Sequence, residues 1–350
     1  MSDIKSYTTD NKVVHNSRDE DINEKLGKII GKKFIDYRKK WDEVNKLNLV
    51  TDFPMFLHLD LQQVCNYACP HCNISDHKLL LEQFDGKISL EMDFEKYKRI
   101  VDEGSQYGCP SIEPQGTNEP LLIKDFEKYI KYAHDKNFID IMINSNGSPL
   151  TEKRSKKILD SGLTRLRFSL DAATPESYKQ IRVGSIPYKR VVKNIETFLN
   201  LKEKGGYKLP VTGVNMVVMK SNQHEKKLFQ DFWIDKVDMV TFQQFTPPNY
   251  KNDYSKFYAD EVDLAKPEEK KYIPEKFRCP QPFQRVVIRN DNITACCNSF
   301  SNRLKLGDLK EGVYKAWNSK FANELRELHR CGKYYENPTC KVCVENTSVN

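Results

Sequence analysis

The chain has 350 residues, 39% hydrophobic and 30% charged, enough to bury one large globular domain and one small one and too polar for a bundle of membrane spans. Its 56 basic and 49 acidic residues are interspersed, so the net charge of +7 reads as solvated faces; no nucleic-acid partner is required, although a modest positive field favours a phosphorylated or nucleotide-linked small molecule. Ten cysteines, no export signal ahead of the polar Met1-Ser2-Asp3-Ile4-Lys5 and no apolar run approaching ~20 residues argue for a reducing cytoplasmic location, no membrane partner, and thiolates committed to metal. Residues 1 to about 18 are polar and aperiodic, which predicts a mobile tail. From Asp21 to Asn45 the apolar positions Ile22, Leu26, Ile29, Ile30, Phe34 and Trp41 recur at helical spacing and predict one amphipathic helix, packed over an open end or edge of the main domain.

Short β-rich runs then alternate with helical stretches. The runs are Phe56-Leu61, Ser111-Gln115, Ile139-Asn144, Arg165-Leu170, Val211-Val218 and Met239-Phe245, with helices near 93–107, 124–136, 151–161, 187–204 and 222–235. Six strands with intervening helices imply an α/β fold with a parallel sheet, either open and doubly wound or curved into a barrel; periodicity does not choose between them.

Directly after the first strand stands Cys65-Asn66-Tyr67-Ala68-Cys69-Pro70-His71-Cys72. Three thiolates at C-x3-C-x2-C spacing suit three irons of a 4Fe-4S cluster and leave the fourth open to chelate a small molecule and pass it an electron. A zinc knuckle would need a fourth ligand, for which only His71 or His77 lies near. The triplet resembles the signature of the radical S-adenosylmethionine enzymes. The resemblance implies a partial (β/α)6 TIM-type barrel, with Cys65, Cys69 and Cys72 holding the cluster that binds S-adenosyl-L-methionine, and an external electron donor such as flavodoxin or ferredoxin.

Ligands of α/β folds gather where parallel strands end. Gly116-Thr117-Asn118-Glu119-Pro120 follows the second strand and resembles the family's GGEP motif, with Thr117-Asn118 in place of a more usual glycine. Asn144-Ser145-Asn146-Gly147 and Ser169-Leu170-Asp171 resemble segments lining the cofactor's ribose and carboxylate. The likeness therefore assigns Gly116, Thr117, Asn118, Glu119, Pro120, Asn144, Ser145, Ser169 and Asp171, together with His71, to cofactor binding, and places Arg182 in the active site. Read without the cysteines, the same stretches are ordinary turn chemistry and Arg182 a surface ion pair.

The last eighty or so residues carry Cys279, Cys296, Cys297, Cys331, Cys340 and Cys343 around two short β-runs, Val286-Ile288 and Ile293-Ala295, and one helix from about Gly312 to Arg330. The Cys340-x2-Cys343 bite suits one metal centre; a rubredoxin-like iron or a zinc would use the same thiolates. The segment resembles the twitch domain, a shortened SPASM domain, through its cysteines and through Leu306-Gly307-Asp308-Leu309 and Ala316-Trp317-Asn318. That implies a second, auxiliary 4Fe-4S cluster on Cys279, Cys297, Cys340 and Cys343. Cys297 is preferred to Cys296 because the family ligand stands five positions beyond a turn glycine, here Asn292. Cys109, Cys296 and Cys331 are left as inert thiols.

The expected organisation is a tail and helical extension over 1–50, a radical S-adenosylmethionine partial barrel over 51–250, a linker over 251–278, and a small α+β twitch/SPASM-like domain over 279–350. The implied function is an oxidoreductase that cleaves S-adenosylmethionine and abstracts hydrogen from a substrate carbon, oxidising an alcohol of a sugar, cyclitol or nucleotide-linked sugar. Rival readings are peptide or protein modification, an epimerisation in which Cys296 or Cys331 returns hydrogen, and a non-catalytic iron-sulfur or zinc protein.

Overall fold

A computed structural model describes residues 12–16, 21–83, 86, 88, 92–248, 252–260, 277–297 and 301–347. In chain order the strands are β1 (Lys12–Asn16), β2 (Phe56–Asp60), β3 (Ser111–Glu113), β4 (Asp140–Ser145), β5 (Arg165–Ser169), β6 (Val211–Val218), β7 (Met239–Gln244), β8 (Arg285–Arg289), β9 (Asn292–Thr294) and β10 (Lys305–Asp308). The helices are α1 (Ile22–Ile30), α2 (Lys32–Asn45), α3 (His77–Gln83), α4 (Phe94–Gln106), α5 (Glu127–Asp135), α6 (Glu152–Leu159), α7 (Pro175–Ile181), α8 (Tyr188–Lys204), α9 (Lys226–Trp233), α10 (Gln281–Gln284), α11 (Val313–Trp317), α12 (Lys320–Arg330) and α13 (Pro338–Thr347). Among the described residues no helix is long and apolar enough to cross a membrane.

One sheet runs β1-β7-β6-β5-β4-β3-β2-β8-β9-β10. Strands β2 to β7 are parallel neighbours, the partial (β/α)6 barrel expected from the sequence. Their apolar residues, such as Leu57, Leu59, Ile141, Ile143, Leu166 and Phe168, are fully buried against the helical layer, whereas the alternate residues face the barrel interior. The C-terminal segment continues the same sheet: β8 pairs with β2 in parallel from Phe56↔Arg285 to Asp60↔Arg289, and β9 and β10 follow as an antiparallel meander.

Several expectations change. The predicted tail contains β1, which pairs antiparallel with β7 from Lys12↔Gln243 to Asn16↔Met239 and so covers that edge of the sheet; residues 1–11 and 17–20 lie outside the described part. The single predicted N-terminal helix is two, broken at Gly31, whose φ of 88° lies in the left-handed region that glycine takes without strain. Both helices cover the amino-terminal end of the barrel: Leu26, Phe34 and Val44 pack on Met55, Val211 and Met239, which stand just before or at the start of strands. The C-terminal helix is likewise two, because Ser319 caps α12 by accepting from Ala322 N and Asn318 turns to donate to Asp52 O. A third strand, β10, joins the two β-runs expected there. Finally, the described start of the predicted linker is packed: Tyr254, Phe257 and Tyr258 surround Phe245, and the Phe257 ring lies 6.5 Å from that of His71. Residues 261–276 of that linker lie outside the described part.

Trp317 ties the C-terminal segment to the barrel. It is fully buried, its Nε1 donates to Thr51 O at 2.6 Å, and the Arg326 guanidinium stacks 4.0 Å from its ring. Beside it the Glu103 carboxylate accepts from Val313 N and Tyr314 N at the start of α11. Trp317→Ala is expected to cost about 3–5 kcal/mol of stability, the range for a buried Phe or Trp truncation; a chemical denaturation midpoint within error of the parent would contradict this packing.

Candidate active site

The loop leaving β2 carries Cys65, Cys69 and Cys72 across the carboxyl ends of the strands. It is held from three sides: Ala68 N donates to Val183 O at 2.8 Å, Ser75 Oγ to Cys69 O at 2.7 Å, and Glu119 N to Val64 O at 3.0 Å. All three sulfur-bearing residues line one cavity of about 430 Å³. Burial first, with Glu119 and the other two thiols adding, pushes the Cys65 thiol up to about 11; burial also raises Cys69 and Cys72. A coordinated metal reverses that preference, because a ligating thiol is deprotonated.

Glu119 is buried and accepts from Ser145 Oγ (2.8 Å), Asn146 N (2.6 Å) and Leu121 N (3.1 Å), while burial pushes its carboxyl up to about 7. Thr117 and Asn118 also face the cavity; Gly116 and Pro120 shape the loop behind it, Pro120 by opening a 3-10 turn. Asp171, at φ 60°, accepts from Val217 N through Oδ1 and meets Arg182 Nη2 at 2.7 Å and His71 Nε2 at 3.4 Å through Oδ2. Burial alone would raise this carboxyl, but Arg182 and then His71 hold it below the usual range. Arg182 Nη1 also reaches Cys69 Sγ at 3.8 Å, so it is a buried cation against the cysteine loop and not a surface ion pair. The structure thus brings His71, Thr117, Asn118, Glu119, Asn144, Ser145, Ser169, Asp171 and Arg182 to one cavity wall with the three cysteines.

Cys297, from the C-terminal segment, lines the same cavity. The Cys279 thiol is raised by burial first, with Cys340, Cys343 and Cys297 close enough to add to the effect. Cys340 and Cys343 are one turn apart on α13, whose start is capped by Asn337 Oδ1 accepting from Thr339 N and Cys340 N. Burial pushes the Cys340 thiol up to about 12. Burial also pushes His329 down to about 4, leaving a neutral imidazole whose Nδ1 accepts from Cys279 N at 3.4 Å. Among the described residues no three His, Cys, Asp or Glu side chains stand as close as the ligands of one ion do; a four-iron cube, with one thiolate per corner, needs a wider spread than zinc. Cys331 is exposed and donates to Glu327 Oε1; Cys109 is buried behind β3, its thiol donating to Ser111 O.

Sequence reasoning missed the residues that need the register of distant strands. Asp60 and Arg289 end β2 and β8 and form a buried pair, Arg289 Nε to Asp60 Oδ2 at 2.9 Å. Gln115 and Asn215 add amides to the cavity, beside Gln243, Gln244 and Phe245, which the sequence already suits to a pocket floor at the end of the sixth expected strand. Five buried atoms on this wall have no hydrogen-bond partner among the described residues: His71 Nδ1, Asn118 Nδ2, Arg182 Nε, Asn215 Oδ1 and, its ion-pair contacts aside, Asp171 Oδ2. Buried polar atoms are ordinarily paired, so the wall is shaped for polar ligands. Deeper in the barrel a second cavity of about 490 Å³ shares Asn144 with the first and is lined by Arg38, Arg165, Arg167 and Arg285 against Glu113 and Asp140.

A family model described as "Radical SAM superfamily" matches residues 59–232, and one described as "Iron-sulfur cluster-binding domain" (SPASM) matches residues 279–344. A probable GTP 3',8-cyclase of Methanococcus maripaludis strain C5 is 29% identical over 210 residues, which are 59% of this chain and 65% of that protein. The GTP 3',8-cyclase of Nautilia profundicola is 28% identical over 69% of this chain and 76% of its own. Among solved structures, Streptococcus suis SuiB bound to S-adenosylmethionine superposes with a TM-score of 0.62 at 14% identity, covering 84% of this chain and 72% of that one. Native anSMEcpe with bound AdoMet gives 0.57 at 14% identity, covering 78% and 83%. At these identities the likeness to the two structures carries the fold alone.

Proposed function

Because the chain belongs to the radical S-adenosylmethionine superfamily and carries a SPASM iron-sulfur domain, we propose that it removes hydrogen from a hydroxyl-bearing carbon of a sugar, cyclitol or nucleotide-linked sugar and oxidises it to a carbonyl. The observation that carries this reading is that Cys297 and the Cys65, Cys69 and Cys72 triplet line one polar cavity, so both cysteine sets reach the same substrate. Cys65, Cys69 and Cys72 would hold the first 4Fe-4S cluster, and Cys279, Cys297, Cys340 and Cys343 the auxiliary one. When bound, the first would supply the electron that cleaves S-adenosylmethionine to a hydrogen-abstracting 5'-deoxyadenosyl radical, and the auxiliary one would accept the remaining electron from the substrate radical while the hydroxyl proton passes to water, leaving the carbonyl.

The chain's own residues bind, orient and exclude water. Glu119, fixed by its three donors, faces the cavity as the acceptor for the cofactor's amino group; Ser145 and Asn146 fix it in turn. Arg182 and Asp171 neutralise one another beside the cysteine loop. The Phe245, Tyr254 and Phe257 group, with its edge on His71, shields that side of the cavity from water. Asn215 Oδ1, a buried acceptor, together with the Gln115 and Gln243 amides, suits a neutral ligand rich in hydroxyl donors. Epimerisation finds less support: Cys331 is exposed, and Cys297 is the C-terminal thiol that lines the cavity.

A nucleotide substrate is the second reading, favoured by the GTP 3',8-cyclase activity for which the relatives are named and by the arginine-lined lower cavity. Anaerobic turnover with sugars, nucleotide-linked sugars and GTP separates the two. A product lacking two hydrogen atoms, formed together with 5'-deoxyadenosine, supports oxidation; a product isomeric with GTP overturns it. Glu119→Ala leaves three donors without their acceptor and is expected to weaken S-adenosylmethionine binding about ten- to a hundredfold, from about 1–3 kcal/mol of unsatisfied desolvation. Unchanged affinity would remove Glu119 from the cofactor site.

A further inference from the structure

We propose that the C-terminal domain sets the conformation of the cofactor loop through Arg289 and Asp60. The two residues are Cα partners at the ends of β8 and β2. Arg289 Nη2 donates to the main-chain carbonyl of Cys297 at 2.9 Å, and its Nε donates to Asp60 Oδ2 at 2.9 Å. The other Asp60 oxygen accepts from Thr117 N at 2.5 Å. One residue earlier, a Cβ on Gly116 would fall 1.5 Å from Asp60 Oδ1, so the carboxylate occupies the space that only glycine leaves. An unbroken series of polar contacts therefore joins a cysteine of the auxiliary set to the backbone of the loop that presents Thr117, Asn118 and Glu119 to the cavity. Both charged side chains are buried, at 5% and 0% exposed. Without Arg289 the Asp60 carboxylate loses its counter-charge in a dry site, and the Thr117 N–H loses a fixed acceptor. Arg289 and Asp60 are positioning residues: they act on the cofactor through the loop. The inference rests on that loop binding S-adenosylmethionine and is independent of the substrate class.

The test is equilibrium binding of S-adenosylmethionine to the anaerobically reconstituted, unreduced protein, with iron content and the auxiliary cluster's electron paramagnetic resonance recorded alongside. Arg289→Gln and Asp60→Asn are each expected to weaken binding by at least about tenfold, the usual scale for breaking a buried charge pair, with iron unchanged. Arg289→Lys recovers part of the loss, and the double variant is weaker by less than the product of the single effects. At saturating cofactor the turnover rate stays within a few-fold of the parent, so the loss appears in KM. Parental affinity in Arg289→Gln, or effects that simply multiply in the double variant, overturns the proposal. Should Arg289→Gln shed its auxiliary iron, Arg289→Lys and the barrel variants Asp60→Asn and Gly116→Ala decide it, and parental affinity in them overturns it. A parent protein that does not bind S-adenosylmethionine defeats the cofactor reading first, and this inference with it.

Discussion

Replacing Cys69 by alanine is expected to end S-adenosylmethionine cleavage. Of the three loop cysteines it is the most deeply placed, 5% exposed, with its carbonyl held by Ser75 and Cys72 N and its sulfur facing Arg182. Two thiolates do not anchor a cube that needs three, so iron should fall from about eight to about four per chain while the auxiliary set stays loaded. The measurement is 5'-deoxyadenosine released under dithionite, with iron counted on the same sample. Release that persists in Cys69→Ala, or in the matching variants of Cys65 and Cys72, would remove the cysteine loop from the chemistry.

The second large effect separates cleavage from oxidation. Cys340→Ala with Cys343→Ala should also leave about four irons per chain, yet here 5'-deoxyadenosine is still formed while oxidised product is lost. The reason is positional. Both cysteines sit on α13 and neither lines the triplet's cavity, so their removal spares the cofactor site but takes away the electron acceptor that the proposed oxidation needs. A variant that still makes carbonyl product at the parental ratio to 5'-deoxyadenosine would show that the acceptor lies elsewhere and favour a redox-neutral reaction.

The barrel was legible because its strands are β-branched runs separated by amphipathic helices, and each expected strand and helix between 56 and 245 is found within a few residues. The strand-end motifs were legible once the cysteine triplet gave them a context. What escaped is what depends on partners far away in sequence. The pairing of β1 with β7 spans most of the chain and has no local signature. The ion pair of Asp60 and Arg289 joins residues 229 apart. In the sequence an Asp after Phe56-Leu57-His58-Leu59, or an Arg closing Val286-Val287-Ile288, is an ordinary strand end; only the β2–β8 register makes them neighbours. Gly31 and the Asn318-Ser319 pair broke helices whose apolar spacing continues across the break, so periodicity ran through them. Arg165 and Arg167, by contrast, could have been placed inside the barrel from their alternation with Leu166 and Phe168 alone.

The ladder between β2 and β8 also means that the C-terminal portion is not a cassette to be trimmed or exchanged. It lies in register with the strand that launches the cysteine loop along that strand's whole length, from Phe56 to Asp60. Cutting it away would bare a row of N–H and C=O groups at the heart of the molecule, open to another chain's edge and to clumping. The two cysteine sets are thus inherited as one piece, and a change tolerated by either has to be tolerated by the backbone they share.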